Sequence, residues 1–302
     1  MKNTDFFYKL VAAGMKMRYG DHPCKGALLR YLWEKRQIMK TGFEDYYLMG
    51  FWVFHHYAKS EGIRYWARGA VSSSIVCYCL GITEVDPEKY GLHSVRFVNN
   101  ELPKFQFDIE SSRFEEFKKG AEDLLDANAH DCDITSVKAC LLQDLSSSDY
   151  LRREQKRIVP ENIDEEIANY ALTFPDTMNL YEEYIQRKNG KAWTPTGIAR
   201  LDNILAPTYG LLVYQEQMFD ILREIFRVYG IKANDIRLSI HRGETENLES
   251  FKKECFEELK NISLEEAEKV WKVLTNNRKA FLKAHAVSRV LANYKYFFYN
   301  KQ

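Results

Sequence analysis

The sequence predicts a helix-rich α+β protein, and three observations lead to this prediction. Residues 5–60 carry apolar side chains at roughly helical spacing, which favours helices. Residues 83–112 are instead broken by Pro87, Gly91 and Pro103 into short segments of the kind found in strands. Helical patterns then return and continue toward the C-terminus.

The first helical region divides at Thr41-Gly42. Glycine adopts left-handed backbone angles without a steric penalty, so the pair predicts the end of a helix. The run FEDYYLMGFWVFHHYA, residues 43–58, then predicts a second helix rich in aromatic side chains. We therefore expect a helical framework ahead of the β-like segments.

Small residues follow in the run RGAVSSSIVCYCLGI, residues 68–82. A helix beginning near Ala70 would direct its free N–H groups toward an anion, and Arg68 with the hydroxyls of residues 72–74 could hold a phosphate. Serine runs also cap helices without binding a ligand. The residues alone leave both interpretations open.

The segment LPKFQFDIESS, residues 102–112, raises the question of a metal site. Side chains alternate between the two faces of a strand, so the apolar residues would point into a core and the polar residues would form a row. The apolar set is Phe105, Phe107 and Ile109, and the polar set is Lys104, Gln106, Asp108 and Glu110. The row indicates either a metal site or a site that has lost its metal.

The remainder of the chain predicts helices. A basic patch at residues 152–157 could contact a phosphate backbone or form a solvated face. A helix is expected to end at Gly190, and Ser263 with Glu266 forms a capping box ahead of another helix. The run FLKAHAVSRVLANYKYFFYN, residues 281–300, predicts the last helix.

Composition places few limits on function. The 302 residues include 43 basic and 43 acidic side chains, a balance that neither indicates nor excludes nucleic-acid binding. Six scattered cysteines lack paired metal-ligand spacing, which favours buried thiols in a reducing cytosol. The N-terminal stretch has no signal-peptide core and no apolar run approaches about 18 residues, so we expect a soluble, cytoplasmic protein without membrane contact.

Six segments occur in an order that is typical of one protein family. They are TGFEDYYL at 41–48, RGAVSSSIVCYCLGITEVDP at 68–87, LLQDLSSSDYLRR at 141–153, YIQRKNG at 184–190, YGLLVYQEQM at 209–218 and FLKAHA at 281–286. On these segments the chain resembles the catalytic alpha subunit of bacterial DNA polymerase III, the family C replicative polymerase.

The resemblance implies a small palm sheet similar to the polymerase beta nucleotidyltransferase fold, packed with a helical fingers-like domain. It also implies two-metal phosphoryl transfer, in which aspartates from neighbouring strands hold Mg²⁺. When Pro103 and Arg113 are aligned with the family motif, Lys104 and Gln106 occupy the two ligand positions and Asp108 the third aspartate. An ammonium and an amide then replace two carboxylates, which predicts loss of the metal pair.

A shifted register keeps a second interpretation open. Asp108 and Glu110 themselves form a D-x-E pair, and they are the residual candidates for catalysis and for metal binding. That pair needs a third carboxylate. The family segment that supplies the third carboxylate has no counterpart between residues 113 and 140.

The resemblance also implies nucleotide-binding residues. They are Arg68, Gly69, Ser73 and Ser74 in the phosphate-binding loop, Arg237 near a family arginine pair, and Lys283 and His285 in the fingers motif. Helix packing and solvation remain an alternative role for Lys283 and His285. A family arginine is replaced within residues 172–177, which weakens the expectation of triphosphate binding.

The resemblance predicts a trimmed palm-like region with flanking helices at 1–140 and a helical fingers-like region at 141–302. The first functional hypothesis is an inactive homologue that binds DNA, a nucleotide or a protein partner. The second is a minimal DNA-directed nucleotidyltransferase that uses Asp108 and Glu110. The third is a protein-interaction module, for example one that engages the replisome. No cofactor is expected, apart from Mg²⁺ if activity remains.

Overall fold

The structure, a computed structural model, describes residues 3–126, 159–257, 259 and 262–295. The basic patch predicted at 152–157 lies outside these residues.

The chain divides into two compact units. Unit 1 comprises residues 1–145 and 287–302, and unit 2 comprises residues 146–286. The assignment of a palm-like and a fingers-like region stays a prediction.

Unit 1 begins with three helices that pack around a buried apolar core. They are α1 Asn3–Tyr19, α2 Lys25–Thr41 and α3 Glu44–Gly50, and α3 continues into a π-helical segment over Phe51–Ala58. The predicted break is confirmed, because α2 ends at Thr41 and Gly42 adopts a left-handed φ of 69°.

A short two-stranded sheet follows the helices. Strand β1, Tyr65–Ala67, pairs in antiparallel fashion with strand β2, Phe107–Ile109. Phe105, Phe107 and Ile109 are buried, which confirms that the apolar set of the 102–112 segment enters the core. Helix α4, Ile75–Cys79, lies between the strands in sequence, and helix α5, Phe114–Asp126, follows β2.

The prediction of several short strands over 83–112 is wrong. The structure describes the whole of that range, and β2 is the only strand in it. Short 3₁₀ turns occupy Ser94–Arg96 and the residues after Glu110. In this range, local side chains accept backbone N–H groups that a neighbouring strand would accept in a sheet. The Asp86 carboxylate accepts the N–H groups of Glu88 and Lys89, which favours a turn over an extended ladder.

The prediction of a helix beginning near Ala70 needs correction. Residues Gly69–Ser73 form a 3₁₀ turn, and the α-helix begins at Ile75 with Ser74 as its N-cap. Gly69 has a positive φ of 75°, a conformation that favours glycine, and it starts the tight turn that separates β1 from α4.

In the part of unit 2 that the structure describes, the regular elements are helices, joined by loops and by an isolated β-bridge between Tyr214 and Phe281. Its helices are α6 Ile163–Leu172, α7 Tyr181–Lys188, α8 Ala199–Leu205, α9 Gln215–Glu224, α10 Gly230–Arg242, α11 Thr245–Glu257 and α12 Leu264–Asn276. The Ser263–Glu266 capping box is confirmed, because each residue accepts a hydrogen bond from the other's backbone N–H.

The last described helix is α13, Lys283–Asn293. Its residues 283–286 belong to unit 2 and its residues from 287 onward belong to unit 1. The many helices and the two-stranded sheet confirm the helix-rich α+β class. Across the described residues, each helix is too short or too polar to cross a lipid bilayer.

Candidate functional site

Backbone pairing positions the polar residues around β2. The N–H of Arg68 donates to the carbonyl oxygen of Gln106 at 2.9 Å, beyond one end of the ladder. Beyond the other end, the N–H of Glu110 donates to the carbonyl oxygen of Arg64 at 3.1 Å. The two segments are therefore held side by side on both sides of Asp108.

The polar row predicted on this segment is not uniform in exposure. Lys104 and Gln106 are exposed, whereas Asp108 is fully buried and Glu110 is 9% exposed. A buried carboxylate is costly unless a cation or several hydrogen-bond donors accompany it. The partners of Asp108 and Glu110 therefore decide what the site can do.

Two guanidiniums hold Asp108. The Nε of Arg68 lies 2.9 Å from one carboxylate oxygen, and Nη1 of Arg289 donates to the other. Burial raises the pKa of Asp108, and the positive charges of Arg289 and Arg68 oppose that rise. Both carboxylate oxygens are thus engaged by cations from the protein itself.

Glu110 has an arginine partner of its own. Its Oε1 accepts the backbone N–H of Arg64 and its Oε2 accepts the guanidinium Nε–H of Arg64, each at 3.0 Å. Burial opposes ionisation of Glu110, but the donors of Arg64 outweigh it and lower the pKa of the carboxyl group. Asp108 and Glu110 of the D-x-E pair lie on one segment, but they pair with different arginines.

Helix α13 contacts β1 next to the Arg289 pair. The indole N–H of Trp66 donates to the carbonyl oxygen of Ser288 at 2.8 Å, and the Ser288 hydroxyl donates to the carbonyl oxygen of Ala67 at 2.7 Å. Trp66 is opposite Asp108 in the strand register. These bonds fix the part of α13 that carries Arg289.

The predicted phosphate-binding loop is turned toward the protein interior. Ser73 and Ser74 are fully buried, and Gly69 is buried as well. The Ser73 hydroxyl donates to the carbonyl oxygen of Ala70 at 2.6 Å. The structure brings Arg68 to Asp108, so the four loop residues are not arranged around one open cavity.

Glu34 of α2 caps the helix that follows this loop. One oxygen accepts the N–H of Ile75 at 3.0 Å, and the other accepts the Ser74 hydroxyl at 2.7 Å and the N–H of Val76 at 3.1 Å. Burial raises the pKa of Glu34, although these donors favour its ionised form. The chain supplies its own carboxyl group at the helix start where an external phosphate was predicted.

Sequence reasoning missed Glu34, although the helix carries a signal for it. Glu34 is the only acidic residue of α2, and it lies on the buried face between Ala27 and Ile38. A lone carboxylate on the apolar face of a helix requires a buried donor set.

A second glutamate caps α13 within unit 2. The carboxylate of Glu216 is 2% exposed and accepts the N–H groups of Lys283 at 2.7 Å and Ala284 at 3.0 Å. The Lys283 side chain is half-buried, with its ammonium 5.8 Å from the ring centre of Tyr214. Lys283 therefore has both a packing role and partial access to solvent.

His285 lies within an aromatic cluster. Its ring is stacked on Tyr170 with centroids 6.1 Å apart, and it contacts the rings of Phe174 and Phe281. Its Nε2 lies 3.4 Å from the Tyr170 hydroxyl. The cluster fixes the orientation of the imidazole on α13.

Arg237 is buried in α10. Its Nε donates to Oδ1 of Asn234, one turn earlier, at 3.1 Å. Exposed basic side chains occur instead at the end of α10 and before α13, at His241, Arg242, Arg278 and Lys279. These four residues are called the basic cluster below.

Local contacts hold part of the basic cluster together. Nδ1 of His241 lies 3.2 Å from the carbonyl oxygen of Arg278. Gly243, with φ of 71°, lets the Arg278 guanidinium approach, because a Cβ at that position would lie 2.8 Å from Nη1. Sequence reasoning missed this cluster because its members are far apart in the chain.

Acidic partners of the basic cluster lie at the surface. Arg242 pairs with Glu244 at 3.4 Å, and Lys279 pairs with Asp176 at 3.2 Å. Exposed pairs of this kind contribute little to stability and can exchange for another anion.

Among the residues that the structure describes, no three or more His, Cys, Asp or Glu side chains form a group that could hold a metal ion. The predicted site residues of unit 1 are thus the Asp108 and Glu110 ion pairs and the loop, and those of unit 2 are Arg237, Lys283 and His285.

Two family models match the chain. The model for the bacterial DNA polymerase III alpha NTPase domain matches residues 5–125, and the model for the bacterial DNA polymerase III alpha subunit finger domain matches residues 146–263.

Curated relatives match a shorter stretch. An error-prone DNA polymerase of Anaeromyxobacter sp. (strain K) is 35% identical over 111 residues, which are 36% of this chain and 10% of the relative. The DNA polymerase III alpha subunits of Halalkalibacterium halodurans and Mycobacterium leprae are 39% and 37% identical over 116 and 117 residues. Each of these two alignments covers 37% of the chain and 10% of the relative.

Proposed function

Because the chain belongs to the bacterial DNA polymerase III alpha family, we propose that it binds DNA or a nucleotide on a palm-like and fingers-like scaffold and no longer synthesises DNA. The palm-like region corresponds to residues 1–140 and the fingers-like region to 141–302. One observation carries the proposal: both oxygens of Asp108 are occupied by the guanidiniums of Arg68 and Arg289.

Two-metal phosphoryl transfer needs carboxylates that can turn their oxygens to Mg²⁺. A guanidinium beside each carboxylate oxygen supplies the positive charge that a metal would supply, so both oxygens already have a cationic partner. Glu110 is held differently, with one oxygen on the backbone N–H and the other on the guanidinium Nε–H of Arg64. The residues at the predicted metal position therefore do not fit Mg²⁺.

The residues at the two metal-ligand positions of the family motif favour the same conclusion. Lys104 and Gln106 are exposed and offer an ammonium and an amide where the family motif has aspartates. An ammonium repels a divalent cation, and an amide oxygen is a weaker ligand for Mg²⁺ than a carboxylate.

Nucleic-acid binding is supported by unit 2. Arg242 and Arg278 of the basic cluster are exposed, and the bond between His241 and the carbonyl oxygen of Arg278 holds the cluster together. Such cations attract phosphates and release condensed counterions when they bind. Lys283 and His285, which the family resemblance assigns to nucleotide binding, are partly accessible in the same unit.

Catalysis is tested with a primed template, deoxynucleotides and Mg²⁺. We expect no extension of the primer by the full chain. Template-directed extension that disappears in Asp108→Asn would overturn the proposal and would favour the nucleotidyltransferase alternative.

Binding is tested by the anisotropy of labelled primed DNA between about 50 mM and about 200 mM salt, where phosphate contacts lose affinity steeply. We expect Arg242→Ala with Arg278→Ala to weaken binding and to reduce the slope of log affinity against log salt by about 2. The control is Lys253→Ala with Lys272→Ala, which removes two exposed charges of the same unit.

Equal slopes for the two double variants would remove the basic cluster from the binding surface. If the chain binds neither DNA nor a fluorescent deoxynucleotide at low salt, the protein-interaction alternative is favoured.

A further inference from the structure

Four large apolar side chains of α2 lie exposed at the surface of unit 1. Leu28, Leu29, Leu32 and Met39 are 42%, 57%, 50% and 56% exposed. Single exposed leucines are common on protein surfaces, but a contiguous apolar patch indicates an interaction site. The arrangement of these four residues on the helix therefore matters more than their number.

The four residues share one face with three cations. At about 100° per residue, Leu28, Leu29, Leu32 and Met39 fall within an arc of roughly 120°. Lys25, Arg36 and Lys40 fall within the same arc and are also exposed. The buried residues Ala27, Glu34 and Ile38 lie on the opposite side of the helix.

The charge of this face is entirely positive. Glu34, the only acidic residue of α2, is buried and caps α4, so no acidic side chain of the helix offsets the exposed cations. Two copies of the face would bring like charges together, which disfavours a symmetric dimer through α2. A complementary partner must carry acidic groups beside apolar ones.

The spacing of the face matches a helical partner. Lys25, Leu28, Leu32, Lys35 and Met39 are separated by alternating steps of three and four residues. This is the repeat that places one seam of a helix against another helix. Lys35 of this seam also contacts α1, since its ammonium lies 4.8 Å from the ring centre of Tyr8.

We propose that the exposed face of α2, residues 25–40, docks an acidic amphipathic helix of another protein. The leucines and Met39 bury the partner's apolar seam, and Arg36 with the flanking lysines pairs with its acidic residues. This inference does not depend on the basic cluster of unit 2 or on the state of Asp108.

A synthetic peptide of about four heptads tests the proposal, with leucine at the two seam positions and glutamate at the flanking positions. Labelled peptide is titrated with the full chain and followed by anisotropy. We expect saturable binding that weakens at least about tenfold in Leu32→Gln, because glutamine keeps the helix but removes the apolar contact. The matched control is Leu264→Gln, a leucine of unit 2 that is 65% exposed.

Charge is tested separately. Arg36→Glu should weaken binding of the acidic peptide, whereas Lys253→Glu should leave it unchanged. A peptide with lysine in place of each glutamate should not bind the unmodified chain.

Three results would overturn the proposal. The first is no binding of the acidic peptide, or equal binding of the acidic and basic peptides. The second is binding to vesicles of anionic phospholipid that Leu32→Gln abolishes while the peptide fails to bind. The third is self-association in sedimentation experiments that Leu32→Gln abolishes.

Discussion

Two helix starts, one in each unit, use the same device with different results. Helix α4 of unit 1 begins against the carboxylate of Glu34, and α13 begins against the carboxylate of Glu216. In both cases a buried glutamate from a distant helix accepts backbone N–H groups that would otherwise lack partners.

The difference lies in what surrounds each cap. At the Glu34 cap the Ser74 hydroxyl also donates to the carboxyl group, and the serines of the loop are fully buried. Around Glu216 the side chains of Lys283 and His285 stay partly exposed. This difference supports the proposal that unit 2 takes part in ligand binding, whereas the serines of the loop in unit 1 are buried in the interior.

The largest expected effect comes from Glu34→Gln. One carboxyl oxygen accepts two donors and the other accepts one, so the glutamine N–H faces one or two donors, and each unsatisfied buried donor costs about 1–3 kcal/mol. We expect a loss of about 3 kcal/mol in the free energy of unfolding of unit 1, measured by urea denaturation with hydrogen exchange of the α4 amides. A loss below about 1 kcal/mol would mean that water or a neighbouring group replaces the carboxylate.

A smaller effect is expected from Glu216→Gln. Glu216 accepts two backbone N–H groups at α13, so the same substitution should cost about 1–2 kcal/mol. Hydrogen exchange at residues 283–286 is the readout. An effect larger than that of Glu34→Gln would reverse the comparison, because it would place the more essential cap in unit 2.

The smallest effect concerns pH. Burial raises the pKa of Glu34, so its contribution to stability is present below about pH 4.3 and is lost as pH rises through the folded-state pKa. Urea midpoints of the unmodified protein, relative to those of Glu34→Gln, should therefore fall as pH increases from about 4 to about 7.

Glu165 in unit 2 provides a control of opposite sign. Burial opposes its ionisation, but the N–H of Glu161, the ammonium of Lys188 and the hydroxyl of Tyr209 outweigh burial and lower its pKa. Its contribution is present above about pH 4.3 and is lost as pH falls through the folded-state pKa. Relative to Glu165→Gln, the unmodified protein should gain stability as pH rises. If the stability difference changed with pH in the same direction at Glu34 and Glu165, the opposite pKa shifts would be contradicted.

Local signals in the sequence were reliable where the partner lies within a few residues. The helix end at Gly42 and the Ser263–Glu266 box depend on contacts within one turn, and both are confirmed. The prediction of strands after residue 83 failed, because Asp86 satisfies nearby backbone N–H groups in a turn.

Long-range pairs could not be predicted in the same way. Glu34 meets α4 across about 40 residues, and Arg289 meets Asp108 across 181 residues. Alternation along β2 correctly placed Phe105, Phe107 and Ile109 in the core, but it could not reveal that a cation from the other end of the chain accompanies Asp108.

The link between Asp108 and Arg289 also bears on the biosynthesis of the protein. Unit 1 is discontinuous, since residues 1–145 are completed by residues 287–302, while unit 2 is one uninterrupted stretch. During synthesis, Trp66 and Asp108 therefore lack these partners until Ser288 and Arg289 have been added to the chain. The intervening 141 residues of unit 2 are therefore synthesised before the segment that completes unit 1.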